Sequence, residues 1–205
     1  MSKNQLHGKT YEDHLKSVFP GSSDHERSAG SSWDIEKEYD KIAKLPTSIK
    51  TSKSKVIELA DARKIWLLNE PYRLLVGKYN QVGDVKEFHT LCEFSISLEE
   101  HQKLLGDVSY NEVEEYHKSL LVFKFGQHED ARKWAKYKKQ TLKHRSKIQL
   151  NPKIDSKTQR RLQASIKIDE LLSNVKEYVI LNKDEFYRGI SVALRIQSSA
   201  REFNE

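Results

Sequence analysis

At 205 residues the chain can bury one substantial hydrophobic core and is expected to fold as a single domain over 1–205. Hydrophobic residues make up 37% and charged residues 32%, with nine Tyr, seven Phe and three Trp, which excludes a disordered chain. The formal charge is +6; the one cysteine, Cys92, excludes a disulfide framework and a cysteine-type zinc cluster, and no apolar run nears the roughly 20 residues of a membrane span. A reducing, cytoplasmic setting without a membrane partner follows as the expectation.

In chain order, residues 11–19 carry Leu15, Val18 and Phe19 at helical spacing, and the Pro20-Gly21 pair stops that helix. A Ser- and Gly-rich loop over 20–32 leads to a short strand at 33–36, a polar connection at 36–44, and a second strand at 47–51 after Pro46. Ser54 can cap a helix containing Ile57, Ala60, Ile65, Trp66 and Leu68, which ends before Pro71. Strands at 72–79 and 87–96 flank a turn at Val82-Gly83-Asp84. Helices are expected at 98–105, 110–123 and 129–144, cation-lined extended segments at 145–154 and 159–166, a helix at 168–178, and a closing helix or strand within 186–203.

The positive charge is segregated. From 132 to 167 there are thirteen Lys or Arg against one acid, Asp155, so this segment carries +12 and the remainder about −6. A basic face of this kind fits a nucleic-acid backbone. Within a nucleic-acid-binding region at 129–168, Lys136, Lys139, Lys143, Arg145, Lys147 and Lys153 are candidates for phosphate contacts. Arg160, Arg161 and Gln163 are candidates for base edges, because Arg matches guanine and Gln matches adenine in the major groove.

A second pattern lies in a catalytic core at 10–97. Side chains two apart on a strand share a face, so Asp34 and Glu36 form one pair and Ser48 and Lys50 another. If the two strands pair, carboxylates and an ammonium converge. Hydrolysis of a phosphodiester needs a dianionic transition state stabilised and a water activated; magnesium held by carboxylates can do both, and a lysine beside it adds compact positive charge. His89, His101, His117, His128 and His144 lack metal-ligand spacing, and Gly77 and Gly83 form no phosphate loop, so neither zinc chemistry nor a nucleotide cofactor is expected.

On Asp34 and Lys50, in a helix, loop, strand, strand order, the chain resembles the PD-(D/E)XK nuclease superfamily and, within it, type II restriction endonucleases. The resemblance implies an α/β (α+β) fold with a central mixed β-sheet flanked by helices, magnesium-dependent cleavage of double-stranded DNA, and a homodimer. It also implies a metal site on Asp34. The position two before Lys50 is Ser48 instead of an acid, so the second carboxylate must come from Glu12, Glu36 or Glu58, the last by analogy with relatives that draw it from a following helix. The expected function is a sequence-specific, magnesium-dependent endodeoxyribonuclease of the restriction-modification type. The alternative is a non-catalytic nucleic-acid-binding regulatory protein.

Overall fold

The computed structural model describes residues 3–22 and 33–197, with side chains from residue 9 onward. Most of the loop read at 20–32, and the end of the segment read at 186–203, lie outside the described residues. The fold is mixed α/β with a curled, mixed central sheet flanked by helices. The described residues gather into two compact units, one within 1–55, 71–96 and 175–205 and the other from 56–70 and 97–174.

The first unit begins with α1 (Lys3–Lys16), whose Tyr11 and Leu15, with Phe19 beyond the helix, form a buried stripe at four-residue spacing. The sheet comprises β1 (Thr47–Ser52), β3 (Tyr72–Val82), β4 (Val85–Ile96), β7 (Glu177–Asn182) and β10 (Leu194–Gln197). β1 runs parallel to β3, from Thr47 opposite Arg73 to Ser52 opposite Lys78. β3 and β4 form an antiparallel hairpin turned at Gly83, where φ is +57° and a side chain would be strained. β7 and β10 both pair antiparallel with β4. A small hairpin of β8 (Phe186–Tyr187) and β9 (Ile190–Ser191) turns at Arg188 and Gly189, both with positive φ.

α1 packs on β1 and β10. The Tyr11 ring stacks on Phe88 at 3.8 Å, and both join Leu15, Phe19, Ile35, Ile49, Leu75 and Leu91 in the core. Each such side chain contributes about 1.5–3 kcal/mol through burial. This places α1 on the face into which Ile49 points.

The second unit contains β2 (Val56–Asp61), α2 (Ala62–Trp66), α3 (Leu98–Leu105), α4 (Tyr110–Leu121), α5 (His128–Leu142), β5 (Gln149–Ile154), β6 (Arg160–Lys167) and α6 (Ile168–Asn174). Its sheet is antiparallel, in the order β2-β6-β5. Ser97 with Glu100 and Ser109 with Glu112 build capping boxes that start α3 and α4. Leu162, Ala164 and Ile166 of β6 are buried, and α2, α4 and α6 pack on that strand.

Two expectations are corrected. The helix read over 54–70 is a strand, Val56–Asp61, followed by a five-residue helix that Asp61 caps by accepting from Arg63 N. Ile57 and Ile65 are both buried, but on different elements, so their apparent helical phase was the sum of a period-2 and a period-3.6 pattern. The helix read over 168–178 ends at Asn174, and Tyr178, Val179 and Ile180 go instead into β7, where β-branched residues suit the pleat.

Candidate functional site

The expected paired strands around Asp34 reduce to a single antiparallel bridge, Ile35 to Thr47. Thr47 N donates to Ile35 O at 2.8 Å, and both Asp34 N and Ile35 N donate to Thr47 O, at 2.9 and 3.0 Å. The chain then leaves in a 3-10 turn, Lys37–Tyr39, which ends the pairing. Since β3 flanks β1 within the sheet, Asp34 and Ile35 occupy the other edge of β1.

From that position the Asp34 carboxylate lies against β1. Its Oδ2 accepts from Ile49 N at 2.7 Å, Lys50 Nζ at 3.1 Å and Ser48 Oγ at 3.2 Å. The Asp34 side chain is 2% exposed and that of Lys50 20%. Burial of a carboxylate is costly without donors, and here an ammonium, an amide and a hydroxyl offset that cost. Lys50 Nζ also donates to the carbonyl of Ile49 at 3.0 Å. The ammonium therefore sits where a carboxylate oxygen and a carbonyl oxygen converge, and so marks a position suited to a hard cation. Ile49 carries no side-chain chemistry, so sequence patterning could flag it only as the residue between Ser48 and Lys50.

The candidate second carboxylates stand differently. Glu12, on α1, pairs with Lys16 at 2.6 Å. Glu36 is half-buried at the start of the 3-10 turn and makes no side-chain capping bond. Glu58 belongs to β2 in the second unit, where it accepts from Lys153 Nζ at 2.9 Å and Gln163 Nε2 at 3.2 Å. Lys153 and Gln163 together hold its carboxyl below the usual range, against the opposing effect of burial. Among the described residues no group of three or more His, Cys, Asp or Glu could hold a metal ion. Asp34 and the Ile49 carbonyl supply two hard oxygens, and magnesium commonly completes such a set with water and substrate phosphate.

Behind the bridge lies a buried ionic network that sequence reading did not single out. Asp40 and Arg73 are fully buried and pair at 2.9 Å; Arg73 also meets Glu93 at 2.7 Å, and Arg188 meets Asp40 at 3.2 Å. The two Arg73 contacts are close charge pairs without hydrogen-bond alignment. Arg73 N donates to Pro46 O at 2.8 Å, which ties this network to the residue before β1.

In the second unit the basic residues divide by partner. Arg145 is committed to Asp107 and Glu112, at 3.0 and 2.6 Å, and drops Glu112 to a pKa of about 2. Lys147 meets Glu170 at 3.3 Å. Arg160, expected at a base edge, is buried and donates to the carbonyls of Asp155, Gln159 and Lys124, so its guanidinium is engaged within the fold. Arg161 is exposed, as are Lys136 and Lys143. Lys139 is half-buried and donates to Asn151 Oδ1; burial and then the charges of Lys143 and Lys153 lower its pKa. A cavity of about 350 Å³ has Lys103, Lys143, Arg145, Lys147 and Lys167 in its lining. No helix among the described residues is long and apolar enough to cross a membrane. No protein-family model, no curated protein and no solved structure matches the chain.

Proposed function

We propose that this protein is a magnesium-dependent endonuclease that hydrolyses phosphodiester bonds of double-stranded DNA at a defined sequence, as a homodimer. The observation that carries this reading is the convergence of Asp34 Oδ2, Ser48 Oγ and Lys50 Nζ on one strand edge, with the Ile49 carbonyl at the same ammonium. Supporting it is the +12 segment at 132–167, a charge excess suited to a polyanion.

Asp34 and the Ile49 carbonyl would hold the magnesium, which supplies transition-state charge stabilisation and a more acidic bound water. Lys50 presents a compact positive charge to the scissile phosphate and a hydrogen-bond donor to the attacking water. Without the metal, the ammonium itself sits on Asp34 Oδ2 and the Ile49 carbonyl; with those oxygens on magnesium it would turn to the phosphate and water beside them. Ser48 and the Ile49 amide orient Asp34 from the strand itself.

The test is incubation of plasmid DNA with magnesium, followed by a gel. Discrete fragments are expected, absent in EDTA and absent with Asp34→Ala or Lys50→Ala; undiminished cleavage by both variants sinks the assignment. A second reading is a non-catalytic nucleic-acid-binding regulatory protein. The absence, among the described residues, of a three-ligand acidic or histidine cluster favours it. It predicts salt-sensitive DNA binding and no cleavage with any divalent metal.

A further inference from the structure

The β5–β6 hairpin carries a polar face for which the chemistry proposed above has no use. Along β6, Arg160, Leu162, Ala164 and Ile166 lie on one buried face, and strand alternation puts Arg161, Gln163, Ser165 and Lys167 on the other, where Ser165 is itself buried and Arg161 and Lys167 are exposed. Cross-strand partners share a face, and the register sets Lys153 opposite Arg161, Asn151 opposite Gln163 and Gln149 opposite Ser165. Cation, amide and polar residues thus lie side by side on β5 and β6, two strands of the three-stranded β2-β6-β5 sheet.

Hydrogen bonds organise those rows. Asn151 Nδ2 donates to Ser165 Oγ at 2.6 Å and Asn151 Oδ1 accepts from Lys139 at 2.5 Å. Glu58 reaches in from β2 and clamps Lys153 and Gln163 through its two oxygens. Gln163 Oε1, by contrast, is buried with no hydrogen-bond partner among the described residues. A sequestered amide oxygen without a donor is an unfavourable arrangement that an incoming N–H would relieve.

We infer that this sheet face reads base edges in the major groove of DNA, with Asn151, Arg161 and Gln163 as reading residues and Glu58 as the acid that sets their specificity. The inference rests on the DNA-directed reading above and names the surface and chemistry of recognition. In the major groove Arg pairs with guanine O6 and N7, Asn or Gln pairs with adenine N6 and N7, and strands as well as helices serve as reading elements. Adenine N6 is a donor of the kind Gln163 Oε1 lacks. Glu58 must give up Lys153 and Gln163 when DNA binds, so it opposes any duplex whose bases do not replace those bonds; a cytosine amino group can compensate the released carboxylate.

The experiment uses the full chain in EDTA, so that cleavage plays no part. A random pool of duplex 20-mers is selected at roughly physiological salt, where phosphate contacts are screened, and bound fractions are sequenced. The wild type should enrich a short motif. Arg161→Ala and Gln163→Ala should each lose preference at one position by roughly tenfold. Glu58→Gln should bind unselected duplex several-fold more tightly and show a smaller ratio of specific to unselected affinity. Thermal melts matching the wild type establish that these surface variants are folded. Enrichment of an unchanged motif by all three variants overturns the inference. A wild type that binds duplex DNA without sequence preference also overturns it and leaves the DNA-directed reading standing. A wild type that binds no DNA removes both.

Discussion

The ammonium of Lys50 lies 3.1 Å from Oδ2 of Asp34, a carboxylate sixteen residues earlier in the chain. The contact depends on two local facts: the Ile35–Thr47 bridge, which lays Asp34 along β1, and the period of two that puts Lys50 on the Ser48 face. Removing the ammonium should leave the strand intact, because Ile49 N and Ser48 Oγ still donate to Asp34. Lys50→Ala is therefore expected to lower DNA cleavage by at least about 10²-fold, the ordinary scale for loss of a positioned proton-transfer or charge-stabilising group. Its melting temperature should stay within a few degrees of the wild type. A fully active Lys50→Ala removes Lys50 from the chemistry.

Asp40 makes the chain acid-sensitive. Burial raises its pKa, but Arg73 and then Arg188 outweigh this and the net direction is downward. A carboxyl depressed in the folded state contributes stability above its unfolded pKa, near 3.9, and loses it as pH falls through the folded value. Urea unfolding should therefore show this group's full contribution, with no pH dependence from it, between about pH 7 and 5, and a decline below about pH 4. Asp40→Asn should flatten that acid limb. It should also destabilise at neutral pH, by less than the about 3–5 kcal/mol of a fully unpaired buried charge, since Glu93 still faces Arg73.

Gly77 leaves the room that the Tyr11 ring of α1 occupies against the sheet. A Cβ there would stand 2.2 Å from Tyr11 Cε1, and the Tyr11 ring cannot withdraw because it is stacked on Phe88. Gly77→Ala should destabilise by about 1–3 kcal/mol, the usual cost of overpacking a filled core. Tyr11→Phe makes the contrast. The Tyr11 hydroxyl is buried with no hydrogen-bond partner among the described residues, so its removal should leave stability unchanged or slightly higher in the same thermal melt.

Charge count alone does not predict which cations bind DNA. Arg145 is tied to Asp107 and Glu112, whereas Lys136 is exposed and has no ion pair among the described contacts. Lys136→Ala should reduce the slope of log affinity against log salt by about one and weaken all sequences alike. Arg145→Ala should instead lower the melting temperature, because it frees the acid that caps α4. Equal salt slopes for wild type and Lys136→Ala would discard Lys136 as a phosphate contact.

What sequence could say followed the range of the interactions. α3 and α4 were legible because Ser97 with Glu100 and Ser109 with Glu112 are complete start signals within four residues. The β3–β4 hairpin was legible because its turn glycine lies between its own two strands. Asp34 and Lys50 were legible as a pair, although the strand expected under Asp34 is only a bridge. β2 was not, since its partner β6 begins about a hundred residues later and only that pairing makes 56–61 extended. The roles of Arg145 and Arg160 were hidden for the same reason: their acceptors lie up to 38 residues away in sequence, and a composition count cannot separate a bound guanidinium from a free one.

The carboxylate of Asp34 does for β1 what a neighbouring strand would do, since it takes up the Ile49 amide on the edge that β3 leaves open. An uncapped edge of this kind recruits strands from other molecules. The residue proposed to work on phosphate thus also occupies one of the donors through which the sheet could grow between chains. Substitution of Asp34 is expected to promote self-association, and light scattering recorded beside the cleavage gel separates a protein that has lost its chemistry from one that has left solution.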